Sequence, residues 1–230
     1  MQIVIMSDFH SHDPSELIKK LFEDGFRKFY LLGDFDEPKI LEKNLSHHLC
    51  LGNHEIELVD GVDISSGYFL NSTSYYHGIW NHGAGREFVM NHRKKTISRK
   101  SGMSIVSWLE NKKILFLHGS LSYAQKPDEN PLIWGSLSPD RNSFFYSDIK
   151  KNFFSMKQRN IDILFRGHDH EPIVFEEWFD SSTNFVSYPE VSGKFSLKEA
   201  RYIITVGAFC EGNYCVYDSI NKTVDFRKFE

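Results

Sequence analysis

Short apolar runs that break off into ligand-type side chains recur along this chain. "QIVIM" (residues 2–6), "KFYLLGD" (28–34) and "HHLCLGN" (47–53) are brief and rich in strand formers, so each predicts a strand. Between them "PSELIKKLFEDG" (14–25) has helical apolar spacing, with Pro14 at its opening and Gly25 at its end. "EPKILEKN" (37–44) predicts a second short helix. Strand and helix alternating in this way predict a parallel α/β sheet with the chemistry-prone residues at strand exits.

The pattern loosens after residue 60, where Gly, Ser, Asn and Tyr dominate to about Gly85. "REFVMNHRKKTISRK" (86–100) and "GMSIVSWLE" (102–110) then carry helical spacing, and about 61–110 is expected to be a variable insert within one domain spanning 1–230. "KKILFLHG" (112–119) returns to strand, a helix is predicted from about Phe144 to Arg159, and "DILFRGHDH" (162–170) is strand again. "PIVFEEWF", "YIITVG", "NYCVYD" and "TVDFRKF" then predict strands with no convincing helix between the last three, hence an antiparallel hairpin sheet. The stretch 179–200 reads as loop with at most one edge strand.

Composition narrows the function classes. With 40% hydrophobic and 15% aromatic residues among 230, one sizeable core is affordable, and a formal charge of -4 gives no sign of a bulk-charge nucleic-acid binder. Nucleic acid stays open only as a substrate. Cys50, Cys210 and Cys215 are odd in number and sit in or beside apolar segments, as reduced thiols do. Without a Lys/Arg-led apolar leader or an 18-residue apolar run, neither export nor membrane spanning is supported, and the expected location is cytoplasmic.

Five strand-end clusters share one chemistry: Asp8-x-His10, Gly33-Asp34, Gly52-Asn53-His54-Glu55, His118-Gly119 and Gly167-His168-Asp169-His170. Each alone is a weak signal; a lone histidine after a strand is more often structural. In an extended segment residues i and i+2 share a side, so Asp8 with His10, and His168 with His170, can serve one site. Glycines at 33, 52, 119 and 167 suit sharp turns in the crevice beyond parallel strands. Asp, His and Asn donors without Cys suit two divalent ions, roughly 3.5 to 4 Å apart with a shared carboxylate.

In this order the clusters resemble the signature of the calcineurin-like metallophosphoesterase superfamily: D-x-H, GD-x-x-D, GNH-[DE], a single H, and GH-x-H. "YIITVGAFCEGNYCVYD" (202–218) looks like the closing hairpin of its small phosphodiesterase branch. The resemblance implies an α/β (α+β layered) β-sandwich of two mixed sheets flanked by helices. It implies Asp8, His10 and His170 on one divalent ion, Asn53, His118 and His168 on the other, and Asp34 between them. Manganese is the leading metal, with Fe, Ni or Zn as alternatives. A hydroxide between the ions would attack phosphorus, and His54 would assist the leaving oxygen.

Departures from the family pattern bear on substrate. The protein Ser/Thr phosphatases of the family extend the second cluster to GD-x-x-DRG and place an Arg before GNHE; here Glu37, Pro38 and Leu51 occupy those places. Two phosphate-clamping arginines are missing, which favours phosphodiesters or nucleotides over phosphomonoesters or phosphoproteins. Glu37 is a candidate to orient His54, and Arg166 a candidate neighbour of the phosphate or a surface residue. Asp13 is expected to cap the helix after Pro14, and Asp169 to point away from the site. Tyr123, Trp134, Phe144, Phe145 and Tyr146 are either core or one wall of a substrate cleft. The fold also occurs in non-catalytic adaptors, the retromer component among them, where eroded ligands are expected; here every ligand position and His54 are kept. Oligomeric state leaves no trace in the sequence.

Overall fold

β1 (Gln2–Met6), β2 (Phe29–Leu32) and β3 (His48–Cys50) run parallel, joined by α1 (Ser15–Glu23) and α2 (Pro38–Lys43). The structure is a computed structural model that describes residues 1–44, 46–56, 101–102, 104–121, 135–140, 143, 146–178, 183–187 and 193–230. Within these, α3 (Asn53–Ile56) is a single turn, followed by β4 (Ser101–Gly102), β5 (Ser104–Leu109) and β6 (Lys112–Leu117). α4 (Tyr146–Gln158) leads to β7 (Ile163–Arg166), β8 (Ile173–Trp178), β9 (Thr183–Ser187), β10 (Gly193–Ser196), β11 (Ala200–Thr205), β12 (Asn213–Asp218) and β13 (Thr223–Lys228).

Two mixed sheets result, in the orders β10-β13-β12-β1-β2-β3-β4 and β5-β6-β7-β11-β8-β9. The central strands are buried on both faces, and the period of two sorts side chains into separate layers. Ile3 and Ile5 of β1 join Tyr30, Leu32, Ile114, Phe116 and Phe165 between the sheets. Val4 and Met6 face outward to Leu17, Ile18 and Leu21 of α1. On the far side Leu115 and Leu117 pack with Ile149, Phe153 and Met156 of α4. Phe116 stacks at 3.8 Å on Tyr30 at the centre of the sandwich, where truncation to alanine costs about 3–5 kcal/mol. Among the described residues no helix is long and apolar enough to cross a membrane.

Three local readings are corrected. Residues 104–109 form β5, paired antiparallel with β6, rather than helix. The reason lies in the turn: Glu110 and Asn111 both have positive φ (45° and 63°), the two-residue hairpin geometry that suits twisted strands. The last three strands are not one hairpin sheet, because β11 pairs with β7 and β8 in the second sheet while β12 and β13 close the first. "YIITVGAFCEGNYCVYD" is therefore a crossing between sheets, turned by Gly207 (φ 82°) and a short 3-10 turn, Phe209–Glu211. The stretch 179–200 holds two edge strands, β9 on one sheet and β10 on the other. The helix expected over 86–100 lies outside the described residues, and so do His77, His82, His92, Tyr123, Trp134, Phe144 and Phe145.

Candidate metal centre

The carboxyl ends of β1, β2, β3, β6 and β7 meet on one rim, and past β1, β2 and β7 the backbone continues in a left-handed conformation. Asp8, His10, Asp34, Asp36, His168 and His170 have φ of 56°, 42°, 61°, 61°, 71° and 61°. Such backbone costs about 1–3 kcal/mol per non-glycine residue and persists where neighbours enforce it. Enforcement is visible: Asp8, His10 and Ser11 donate their backbone N–H groups to the carbonyls of Gly33, Asp34 and Phe35, at 3.1, 2.8 and 3.1 Å. The C-terminal segment ties the same turn, with Phe209 N–H on Ser7 O (2.7 Å), Cys210 N–H on Asp8 O (3.2 Å) and Ala208 N–H on His170 O (2.9 Å). The paired i, i+2 side chains thus share a side through left-handed turns, not through extended strand.

Glycine is required where carboxylates pass close to backbone. A Cβ on Gly52 would stand 2.0 Å from Asp34 Oδ1, and one on Gly167 would stand 1.7 Å from Ser7 Oγ and 2.7 Å from Asp8 Oδ2.

Asp8, His10 and His170 form one cluster of ligand-type atoms, and Asp34, His118 and His168 another. In the first, His10 Nε2 and His170 Nε2 are 3.1 Å apart, with Asp8 Oδ1 3.6 Å from His170 Nε2. In the second, His118 Nε2 lies 3.2 Å from Asp34 Oδ2 and 3.1 Å from Asn53 Oδ1, and His168 Nδ1 is also 3.1 Å from Asn53 Oδ1. Asp8 reaches back to the second cluster at 3.9 Å from His118 Nε2. His54 donates its backbone N–H to Asp34 Oδ1 at 3.1 Å and holds Nε2 3.9 Å from Asp34 Oδ2, beside the clusters and partly open to solvent.

The residue that the sequence reading missed is Asp36. Its Oδ2 accepts from His10 Nδ1 at 3.1 Å and its Oδ1 from His54 Nδ1, so one buried carboxylate fixes the tautomer of both rings and leaves each Nε2 facing the site. Glu37, for which the sequence leaves open that role or a solvated place in the next helix turn, is exposed. The cause is the left-handed backbone at Asp34 and Asp36, which tightens the turn and brings the carboxylate two residues after Asp34 into place instead of three. A GD-x-D spacing beside two histidines was the available signal.

Arg166 does not face the rim. It is fully buried and donates to Gly119 O (2.5 Å), Gly135 O (2.6 Å), Thr205 Oγ1 (3.0 Å) and Asp169. Asp169 points away from the clusters, toward Arg166 and the Leu137 N–H. Asp13 accepts the Ser15 N–H at the start of α1 and pairs with Lys43 at 2.9 Å. His12 is exposed and turns Nδ1 to the carbonyls of Phe9 and His10, while His48 stacks on Tyr30. Tyr146 is partly buried against the core of α4.

The donor set fits a cation. Burial disfavours a charge on His118, yet Asp34 and Asp8 outweigh it and push its pKa up to about 9. Because Nδ1 is committed to Leu32 O at 2.6 Å, the added proton belongs on Nε2, at the point where Asp34 and Asn53 converge. Burial likewise disfavours charge on Asp34, but His118, His54 and His168 hold it well below the usual carboxylate range. Burial and the neighbouring His118 bring His168 down to about 3, which keeps its ring neutral and its lone pair available. Burial raises Asp8 above the ordinary range. Carboxylate oxygens, imidazole nitrogens and an amide oxygen converging in this way are the donors that hard or borderline divalent ions select, and an ion would take the place of the extra proton on His118.

Comparison with known proteins agrees with this architecture. No curated protein sequence matches significantly. Among solved structures, a metallophosphoesterase from Sphaerobacter thermophilus is 19% identical with a TM-score of 0.63, covering 100% of this chain and 89% of its own. A hypothetical protein from Pyrococcus horikoshii is 15% identical with a TM-score of 0.57, covering 100% of this chain and 88% of its own. A structure described as a novel archaeal phosphodiesterase is 14% identical with a TM-score of 0.52, and each chain covers 100% of the other. At these identities the likeness is one of fold. The sequence profile of the calcineurin-like phosphoesterase superfamily domain matches residues 1–205, a span that holds every cluster on the rim, and the chain belongs to that superfamily.

Proposed function

We propose that this protein hydrolyses phosphate esters with two divalent cations, phosphodiesters or nucleotides being favoured. The observation that carries the reading is the convergence of Asp8, His10 and His170 beside Asp34, Asn53, His118 and His168. The first three would hold one ion and the last three of the second group the other, with Asp34 shared. Bound there, the ions supply Lewis-acid charge and lower the pKa of coordinated water toward neutrality. The chain's own residues supply the rest. Asp36 holds His54 by Nδ1, leaving Nε2 to give a proton to the departing oxygen, worth roughly 10²- to 10⁴-fold. Asn53 Oδ1 lies 3.1 Å from both His118 Nε2 and His168 Nδ1, so the three atoms would face the same ion.

Diester preference is supported by Leu51 and Pro38 standing where related phosphatases carry arginine, and by Arg166 spending its donors inside the protein. A dianionic monoester loses most from that lack of bidentate cations.

The test is cleavage of bis-p-nitrophenyl phosphate against p-nitrophenyl phosphate by protein stripped and reloaded with Mn²⁺, Ni²⁺, Zn²⁺ or Mg²⁺. Metal-dependent diester cleavage, lost by at least roughly 10²-fold in Asp34→Asn, is expected. A higher kcat/KM on the monoester overturns the diester preference. Two bound ions with neither ester cleaved would point instead to a binding scaffold of the same fold.

A further inference from the structure

One buried cation lies behind the metal centre and touches none of the ligand atoms. Arg166 ends β7, directly before Gly167 and His168, and is shielded from solvent entirely. Its three nitrogens reach four separate pieces of chain. Nε holds Gly119 O, the residue after His118; one terminal nitrogen holds Asp169, between His168 and His170, and also Thr205 at the end of β11; the other holds Gly135 O. Asp169 in turn accepts the Leu137 N–H at 3.0 Å, and Leu137 is buried against Leu117 and the α4 core. The Gly167 N–H closes the circuit on His118 O at 3.0 Å.

We infer that Arg166 and Asp169 are a positioning pair that sets the mutual placement of His118, His168 and His170 and seats the 135–137 segment beside them; this rests on the dimetal reading above. The chemistry favours it over a role in bulk stability alone. A guanidinium has a rigid planar fork, so four acceptors arranged around it fix distances between loops that a flexible ammonium would leave free. His118 and His168 leave the paired strands β6 and β7, and past the last ladder bonds this clamp ties the two turns together from behind the ligand-type atoms. Partners behind metal ligands commonly carry a 10- to 100-fold share of metal affinity, and roughly that range is expected here.

The experiment compares wild type with Asp169→Asn, Arg166→Lys and a distant core variant, Val224→Ala, which lowers Tm without touching the rim. Mn²⁺ binding is measured calorimetrically below the melting range of all four, together with kcat and KM for bis-p-nitrophenyl phosphate at several Mn²⁺ concentrations. The expected result is weaker binding of at least one Mn²⁺ equivalent by roughly 10- to 100-fold in both clamp variants. Saturating Mn²⁺ should restore part of kcat, and Val224→Ala should keep the wild-type metal affinity. Arg166→Lys retaining wild-type affinity and kcat, or Asp169→Asn losing Tm alone as Val224→Ala does, overturns the inference. Failure of wild type to bind two equivalents or to cleave the ester is a separate result, and it overturns the dimetal reading instead.

Discussion

The two poles of the sandwich use left-handed backbone for opposite ends. At the pole away from the metal centre, positive φ falls on Glu110 and Asn111 in one hairpin turn, Asn160 after α4, and Lys222 in the β12–β13 turn. Each reverses the chain, and the charges around them pair in solvent: Lys222 with Glu199 at 3.0 Å, and Lys112 with Asp162 and Glu199, both at 3.6 Å. At the rim the same conformation falls on Asp8, His10, Asp34, Asp36, His168 and His170, whose side chains all point into one site. Turn chemistry explains the first pole and does not explain the second. Left-handed turns whose residues carry charge into the interior, beyond what the turn itself needs, are strain of the kind that gathers at functional sites.

Substitutions should separate the poles accordingly. His54→Ala is expected to lower kcat by roughly 10²- to 10⁴-fold with Mn²⁺ stoichiometry unchanged, since His54 lies beside the clusters. The loss should shrink for esters with better leaving groups, and equal loss on poor and good leaving groups would remove His54 from proton donation. Asp36→Asn should cost roughly 10- to 100-fold in activity and weaken Mn²⁺ held through His10, because one carboxylate serves both rings. Glu37→Gln, at an exposed position, should match wild type in the same assay.

Gly167→Ala tests how tightly the rim is packed. Its new methyl collides with Ser7 Oγ, and a loss of about 1–3 kcal/mol in denaturant unfolding is expected. The smallest effect belongs to the opposite pole. Asp218 accepts the N–H groups of Ile220 and Asn221 and the side-chain amides of Asn221 and Gln2. Burial alone would raise its carboxyl, but those bonds prevail and bring it to about 2, from an ordinary 3.8. A depressed folded pKa means a contribution fully present above the unfolded value and lost as pH falls through about 2. Asp218→Asn should therefore cost about 1 kcal/mol at neutral pH, converge with wild type as pH drops from 3.8 toward 2, and leave ester cleavage untouched.

What could be read in advance divides along the same line. Strands β1, β2, β3, β6 and β7 and the clusters at their exits were legible because apolar runs and ligand-type residues are written contiguously. Asp36 was harder to read, since its reach depends on left-handed backbone at both Asp34 and Asp36, at which the GD-x-D spacing only hints. β5 was misread for a related reason: Val106, Trp108 and Leu109 mimic helical spacing, and only the backbone of Glu110-Asn111 declares a hairpin. The guanidinium of Arg166 likewise reads in the sequence as a phosphate neighbour or a surface residue, and its interior place is hidden because its acceptors come from residues 119, 135, 169 and 205, far apart in the chain.

The lacing of Ser7 and Asp8 by Ala208, Phe209 and Cys210 carries a consequence for biosynthesis. The segment that secures the turn of the first ligand is made some two hundred residues after that ligand. Long-range closure of this kind is slow and follows local structure. The growing chain therefore carries every residue of both clusters before it has the segment that frames them, and the rim takes its final geometry only when residues 208–210 dock on Ser7 and Asp8.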